Sequence, residues 1–237
     1  PGASAWDWHR GFGQLVMEAV ERYCAAFVDY TMLLQAPAVE HQFHTGAQLQ
    51  RFAASQYSAP GFPYVPLAPE AVIRWAGGRS LITGNRRFVP ATFTYLPYRP
   101  AAREEVLGPS FSTGMSAAWR LEDACLSGLL ELVERDAFAI AWMRRVVGPR
   151  LKPRVGSALD ARVAAVCADG STEVSFVDIT TDIGIPVVCA VLRRRNRDRQ
   201  LVTVGLSCKL DLATACDKAL CEALSDYHRL SDEQDRP

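Results

Sequence analysis

Two stretches of this chain repeat one arrangement of carboxylates and a guanidinium. The first is Glu18-Ala19-Val20-Glu21-Arg22 and the second is Glu131-Leu132-Val133-Glu134-Arg135. In both, a Trp stands twelve residues before the first Glu: Trp6 before Glu18, Trp119 before Glu131. Gly2-Ala3-Ser4-Ala5 precedes one Trp and Gly114-Met115-Ser116-Ala117-Ala118 precedes the other. A single E-x-x-E-R is common on helices, but two at the same offset from a Trp mark an internal repeat. On a helix of about 100° per residue, Asp123, Ser127, Glu131 and Glu134 share about 80° of arc, with Arg135 beside them. Leu121, Cys125, Gly128 and Leu132 take the opposite side, which is expected to pack. Gln14, Glu18 and Glu21 form the same stripe on the earlier segment, flanked by Arg22. Crowded carboxylates repel one another unless a cation neutralises them. Two facing stripes would offer hard oxygen donors, and Mg²⁺ prefers carboxylates together with nucleotide phosphate oxygens. The pattern also fits two faces turned to water, and spacing alone does not choose. Further on, Lys218 and Glu222 are spaced i, i+4, which alone reads as a surface ion pair of small worth.

The elements that must carry these residues can be read from periodicity and punctuation. A helix is expected from about Gly11 to Leu34, and a Pro/Gly-rich loop from Ser55 to Pro69. Val72–Ala76, Ser80–Thr83 and Ala91–Leu96 suggest a small antiparallel meander. A second loop covers Pro97 to Pro109, and a long helix runs from about Trp119 to Arg145. Strands are expected at Glu173–Ile179, Pro186–Arg193 and Leu201–Leu206, then a last helix from Leu212 to Leu230. Helices mixed with antiparallel sheet give an α+β fold.

Composition narrows the class. The chain has 237 residues, enough for one sizeable core. Its 26 Lys and Arg balance its 26 Asp and Glu, so the basic field of a nucleic-acid binder is missing. The run Arg193 to Arg199 falls between two strands and reads as a solvated hairpin tip. Seven cysteines with no C-x-x-C spacing argue against a disulfide framework or zinc knuckle and for a reducing, cytoplasmic setting. Most of them fall in apolar patterns, where Cys packs as a small hydrophobe. No apolar run reaches a membrane span. His41 and His44 lack the Glu of a metalloprotease motif. Ala118 removes the second Gly of a nucleophile elbow. Gly77-Gly78 and Gly11-Phe12-Gly13 form no Walker or Rossmann phosphate loop. Trp6, Trp8, Trp75, Trp119 and Trp142 read as core or interface residues.

Four blocks together resemble the YcaO family. Gly114-Met115-Ser116-Ala117-Ala118, Glu122-Asp123-Ala124 and Glu131 through Ala137 are similar to its central motif. Glu18 through Tyr23 resembles its earlier E-x-x-E-R helix, Asp178 through Val188 a following strand and turn, and Ala213 through Ala223 the final helix. The stretch from Trp75 to Ala91, with Tyr95 through Tyr98, resembles the azoline-forming branch. The resemblance implies a single YcaO-like domain over residues 1–237, α+β, with antiparallel sheets and long helices around an ATP cleft. It implies Glu18, Glu21, Glu131, Glu134 and Glu222 as Mg²⁺ ligands, and Gln14, Asp123, Arg135 and Lys218 as nucleotide contacts. The family usually has Ser at position 14, Glu at 123 and often Arg at 218.

The activity implied is ATP- and Mg²⁺-dependent cyclodehydration. A Cys, Ser or Thr of a ribosomal precursor peptide attacks the preceding amide carbon, the amide oxygen is phosphorylated by ATP, and phosphate leaves to give an azoline. No protein nucleophile is needed. Thioamide or macroamidine formation within the same family, or a degenerate leader-peptide-binding scaffold, are the other readings. A start at Pro1, no Pro-rich tail and no fused leader-binding segment lead to the expectation of a chain truncated at both ends. They also lead to the expectation of a leader-peptide-binding partner protein, and a homodimer is a further option.

Overall fold

A computed structural model describes residues 5–37, 51–196 and 199–234. Within it the chain divides into two compact units, one comprising the residues up to Ala19 and those from Thr113 onward, the other Val20–Ser112. Both sheets are antiparallel, which makes the fold α+β as expected. Helix α1, Trp8–Ala26, gives its first part to one unit and its remainder to the other.

The Val20–Ser112 unit holds a three-stranded sheet ordered β1 (Leu34–Pro37), β2 (Val72–Arg79), β3 (Arg86–Pro90). Its core is Ile73, Trp75, Phe88 and Leu107. The expected helix to Leu34 stops eight residues earlier. Asp29 accepts a hydrogen bond from Thr31 N–H at 2.9 Å and starts a short 3₁₀ turn, Tyr30–Met32. The freed segment becomes β1, pairing Leu34 with Trp75 and Pro37 with Val72. A four-residue helix α2, Ala54–Tyr57, interrupts the expected loop. Ser80–Thr83 is a turn and not a strand. Ser80 Oγ accepts from Ile82 and Thr83 N–H at 3.3 and 3.2 Å, and Gly84 takes a left-handed φ of 71° to close it. Glu105, only 5% exposed, accepts from Arg74 N–H, Ala101 N–H and the Tyr98 hydroxyl at 3.1, 2.7 and 3.1 Å. Burial pushes Tyr98 up to about 12, so it stays a neutral donor to that carboxylate.

The other unit carries the four-stranded sheet β4 (Arg150–Leu151), β5 (Thr172–Asp178), β6 (Val187–Asn196), β7 (Arg199–Cys208), in that order. The long helix α3 is Leu121–Arg144, α4 is Ala158–Val166 and α5 is Leu212–Gln234. Sequence reading missed α4. Its signals were Ser157, whose hydroxyl caps Asp160 N–H at 3.1 Å, and the spacing of Leu159, Val163 and Val166, which pack against the main core. That core is built by period-2 positions of β6, Val188, Ala190 and Leu192, meeting Ala215, Ala219, Leu220 and Ala223 of α5. The basic hairpin pairs Arg195 with Gln200 and Asn196 with Arg199, while residues 197 and 198, with His41, His44 and Gly2–Ser4, lie outside the described residues.

Small residues at i, i+4 and i+8 let α5 lie hard against β7. A Cβ on Gly205 would stand 2.0 Å from the Ala219 carbonyl oxygen and 2.4 Å from Ala223 N. Thr203 Oγ1 donates to the Ala223 carbonyl at 2.8 Å in the same contact. Of the five Trp, Trp75 is fully buried, whereas Trp8, Trp119 and Trp142 are 77%, 91% and 71% exposed. No helix among the described residues is long and apolar enough to cross a membrane.

Gly205→Ala should therefore cost about 1–3 kcal/mol, the range for overpacking a filled contact. Gly13→Ala in α1, with nothing within 4 Å of the added methyl, should stabilise by about 0.5–1 kcal/mol. Urea unfolding of the two variants checks the opposite signs.

Candidate active site

The candidate site assembles at the end of the four-stranded sheet where β7 stops and α3 crosses it. Leu130 and Ala137 of α3 pack on Val187 and Cys208. Glu134 lies between them on the helical face and is carried into the same contact. Its Oε2 accepts the Cys208 N–H at 3.0 Å. Glu131, one turn back, accepts the Gly114 N–H through Oε2 at 3.2 Å. That bond needs glycine twice. Gly114 has a φ of 87°, and a Cβ on Gly128 would sit 2.5 Å from the Gly114 carbonyl oxygen. The Gly114 loop can thus lie flat on α3 and hand its N–H to a carboxylate.

This corrects the expected packing side of α3. Leu121 and Leu132, assigned to the buried side, are 76% and 48% exposed, while Glu131 and Glu134 are half-buried. Only Gly128 of the expected set is buried. Asp123 and Ser127 of the stripe are exposed, and only its Glu131–Glu134 end lies on the packed face, where donors replace lost water. Arg135 adds charge from the flank, its guanidinium 3.8 Å from Glu131 and 3.7 Å from Glu134.

Helix α5 brings the third carboxylate. Lys218 Nζ lies 3.6 Å from Glu222 Oε1, and both side chains are half-buried rather than a surface pair. Burial pushes the Glu222 carboxyl above its usual range, Lys218 opposes that rise, and the negative charge of Glu134 adds to it. Glu134 is raised in the same way. Burial is the main cause, opposed by the Cys208 N–H, Arg135 and Lys209, and reinforced by Glu131. Carboxylates from two helices therefore sense one another across this pocket of charge.

The remaining sequence-predicted residues are placed differently. Gln14 and Asp123 are exposed. Glu18 is half-buried in the unit that holds α3 and α5, whereas Glu21, 3.6 Å from Arg22, belongs to the Val20–Ser112 unit. No three His, Cys, Asp or Glu side chains among the described residues are grouped closely enough to hold a metal by themselves. The seven cysteines are free thiols, with Cys24 exposed and Cys208, Cys216 and Cys221 buried. Burial pushes Cys216 up to about 11, so it is a packed thiol and not a thiolate nucleophile. Sequence reading missed the Cys208 N–H and Lys209. A basic residue placed between the end of a strand and the start of a helix was the available signal.

The sequence profile of the YcaO cyclodehydratases, described as ATP- and Mg²⁺-binding, matches residues 14–236. The chain belongs to the YcaO family. Two relatives are an uncharacterized protein of Methanothermobacter thermautotrophicus, 29% identical over 154 residues, and one in the tfuA 3′ region of Rhizobium leguminosarum bv. trifolii, 30% identical over 164. The matches cover 63% and 64% of this chain but only 40% and 38% of those proteins. Among solved structures, a heterocyclase in complex with substrate and cofactor superposes with a TM-score of 0.84 at 23% identity, over 93% of this chain and 31% of its own. The heterocyclase TruD gives 0.82 at 23%, over 93% and 34%. At that identity these two show the fold. YcaO from Methanopyrus kandleri, bound with AMPPCP and Mg²⁺, gives 0.64 at 25%, over 90% and 50%. The YcaO fold is thus shared across both sheets and the helices that flank them.

A carboxyl whose folded pKa is raised stabilises the fold below its ordinary value of 4.5 and loses that contribution as pH rises through the folded pKa. Ionised Glu134 is accordingly a cost at neutral pH. Glu134→Gln keeps an acceptor for the Cys208 N–H and should raise the melting temperature of the nucleotide-free protein at neutral pH. The gain should shrink as pH is lowered toward 4.5. Thermal melts across that range check both the sign and the trend.

Proposed function

We propose that this YcaO chain binds ATP with Mg²⁺ and uses it to activate a backbone amide of a ribosomal precursor peptide, forming an azoline from Cys, Ser or Thr. What supports the reading is the half-buried set Glu131, Glu134, Lys218 and Glu222, with the exposed Arg135 at its flank, inside the stretch that the family profile matches. The donor set fits the groups proposed. Carboxylate oxygens are hard donors, and Mg²⁺ is ordinarily held by one or two carboxylates plus substrate phosphates rather than by an all-protein cage. Glu131, Glu134 and Glu222 are the proposed Mg²⁺ ligands here, with Glu18 and Glu21 added on the family match. Arg135 and Lys218, with Gln14 and Asp123 by the same match, are the proposed nucleotide contacts.

The bound metal would supply positive charge against the phosphates. The chain's own part is positioning and electrostatics. The Gly114 and Cys208 N–H groups fix one oxygen each of Glu131 and Glu134, leaving the other oxygen of each carboxylate facing Arg135. Arg135 and Lys218 keep the cluster from repelling an incoming triphosphate. In the reaction proposed, the peptide's side-chain sulfur or oxygen bonds to the amide carbon and the amide oxygen takes the γ-phosphoryl group of ATP, whose bond to ADP breaks as ADP leaves. Departure of the phosphoryl group as phosphate then removes that oxygen, and the nucleophile and amide protons leave to solvent. A leader-peptide-binding protein would deliver the peptide, raising its effective concentration. Seven free thiols fit a reducing, cytoplasmic setting, and homodimerisation remains part of the proposal.

Calorimetry with AMPPCP and Mg²⁺ tests the nucleotide site. Glu131→Gln should abolish Mg²⁺-dependent binding while the far-UV spectrum and melting transition persist, and unchanged affinity overturns the assignment. With peptide and ATP, mass spectrometry identifies the product. Loss of one water marks a ring, whereas exchange of oxygen for sulfur marks a thioamide and shifts the activity within the family. Adding the partner protein should speed cyclisation at least about tenfold at low peptide, a free-energy gain of about 1.4 kcal/mol.

A further inference from the structure

Lys209 is pinned at the rim of the carboxylate cluster with its ammonium uncommitted. The preceding residue, Cys208, gives its N–H to Glu134 at 3.0 Å, and Lys209 gives its own N–H to the Pro186 carbonyl at 3.2 Å. These two bonds fix the backbone where β7 ends, just before α5 begins at Leu212. The side chain is half-buried. Its positive charge acts on Glu134 of α3 and on Glu222 of α5, so it lies within electrostatic reach of carboxylates from both helices.

The other two cations of the cluster are paired. Arg135 reaches Glu131 and Glu134, and Lys218 reaches Glu222. Lys209 makes no side-chain hydrogen bond and no ion pair within 4.0 Å to any described residue. An ammonium is a compact, strongly hydrated charge with three donors, and it binds phosphate as a point charge. Fixed by its backbone at the residue next to the Glu134 contact and unpaired itself, it has its donors to offer an anion.

We propose that Lys209 is a phosphate-binding residue of the nucleotide site, donating to the phosphate oxygens of ATP held between α3 and α5. The inference rests on the ATP reading and extends the set of residues that reading assigns. It requires a specific dependence on ligand charge. Lys209 should matter for a ligand carrying phosphates and not for its nucleoside part. A residue that only screens Glu134 and Glu222 would instead weaken every ligand alike.

Isothermal calorimetry on the full chain with Mg²⁺-AMPPCP, and separately with adenosine, makes the distinction. Lys209→Met should raise the AMPPCP dissociation constant about tenfold, equivalent to about 1.4 kcal/mol, and Lys209→Arg should recover most of the loss. Any adenosine binding seen for the wild type should be unchanged in both variants. Lys209→Gln, which stays polar, should reproduce the Met result if the loss is one of charge and not of folding. Equal AMPPCP affinity in wild type and Lys209→Met overturns the inference while leaving the nucleotide reading standing. A loss shared equally by adenosine, or a Gln variant that binds as wild type, also overturns it. A wild-type chain that binds no Mg²⁺-AMPPCP overturns the nucleotide reading itself, and this inference with it.

Discussion

Taking a carboxylate out of water costs several kcal/mol unless donors and cations replace the lost hydration. Much of the unit built on α3, β7 and α5 can be understood as meeting that cost at Glu131 and Glu134. Each has one backbone N–H on one oxygen and a share of Arg135 on the other. The compensation is incomplete, because burial still raises Glu134 and Glu222 above the usual carboxylate range. Glu105 of the other unit shows the contrast. Three hydrogen bonds and the Arg74 guanidinium at 3.8 Å answer it, and it serves as a structural anchor of the small sheet. A carboxylate left partly unanswered is the kind that gains from an added cation.

Close backbone approach is what brings those donors into range. The Gly114 loop lies on α3 only because Gly128 has no Cβ, and α5 lies on β7 only because Gly205 has none. Gly148 plays the same part beside β5, where a Cβ would meet the Asp178 carbonyl oxygen at 1.7 Å. Small residues thus set the geometry of large charged ones. Moving α3 outward by the width of a methyl group would lengthen the 3.0 and 3.2 Å bonds to Glu134 and Glu131 beyond hydrogen-bonding range.

Much of this was legible in the residues. The long helix expected from Trp119 to Arg145 is Leu121–Arg144, and three of the four strands of the larger sheet, β5 to β7, fall within a few residues of their expected places. Those elements have strong periods over many residues. Short elements were misread where local chemistry overrode the pattern. Asp29 stopped α1, Ser80 turned a β-rich stretch into a hairpin loop, and α4 was too short for its period to stand out.

The sequence by itself determined which side chains could do chemistry. Glu131 and Glu134 share a helical face because one turn is 3.6 residues, and the order of four motif blocks carried the family, which the match over residues 14–236 bears out. It could not determine which way that face points. Period alone placed the carboxylates opposite the packed side, since apolar residues outnumber charges in cores. Only the tertiary structure turned the Glu131–Glu134 end of the stripe inward, by bringing Cys208 N–H, seventy-four residues away, against Glu134. It alone also set Lys209 next to the Cys208 N–H that Glu134 accepts, within electrostatic reach of Glu222. Hydrogen-bond donors of the backbone carry no signature in side-chain sequence, so the compensation that permits a buried charge becomes visible when the strand and the helix meet.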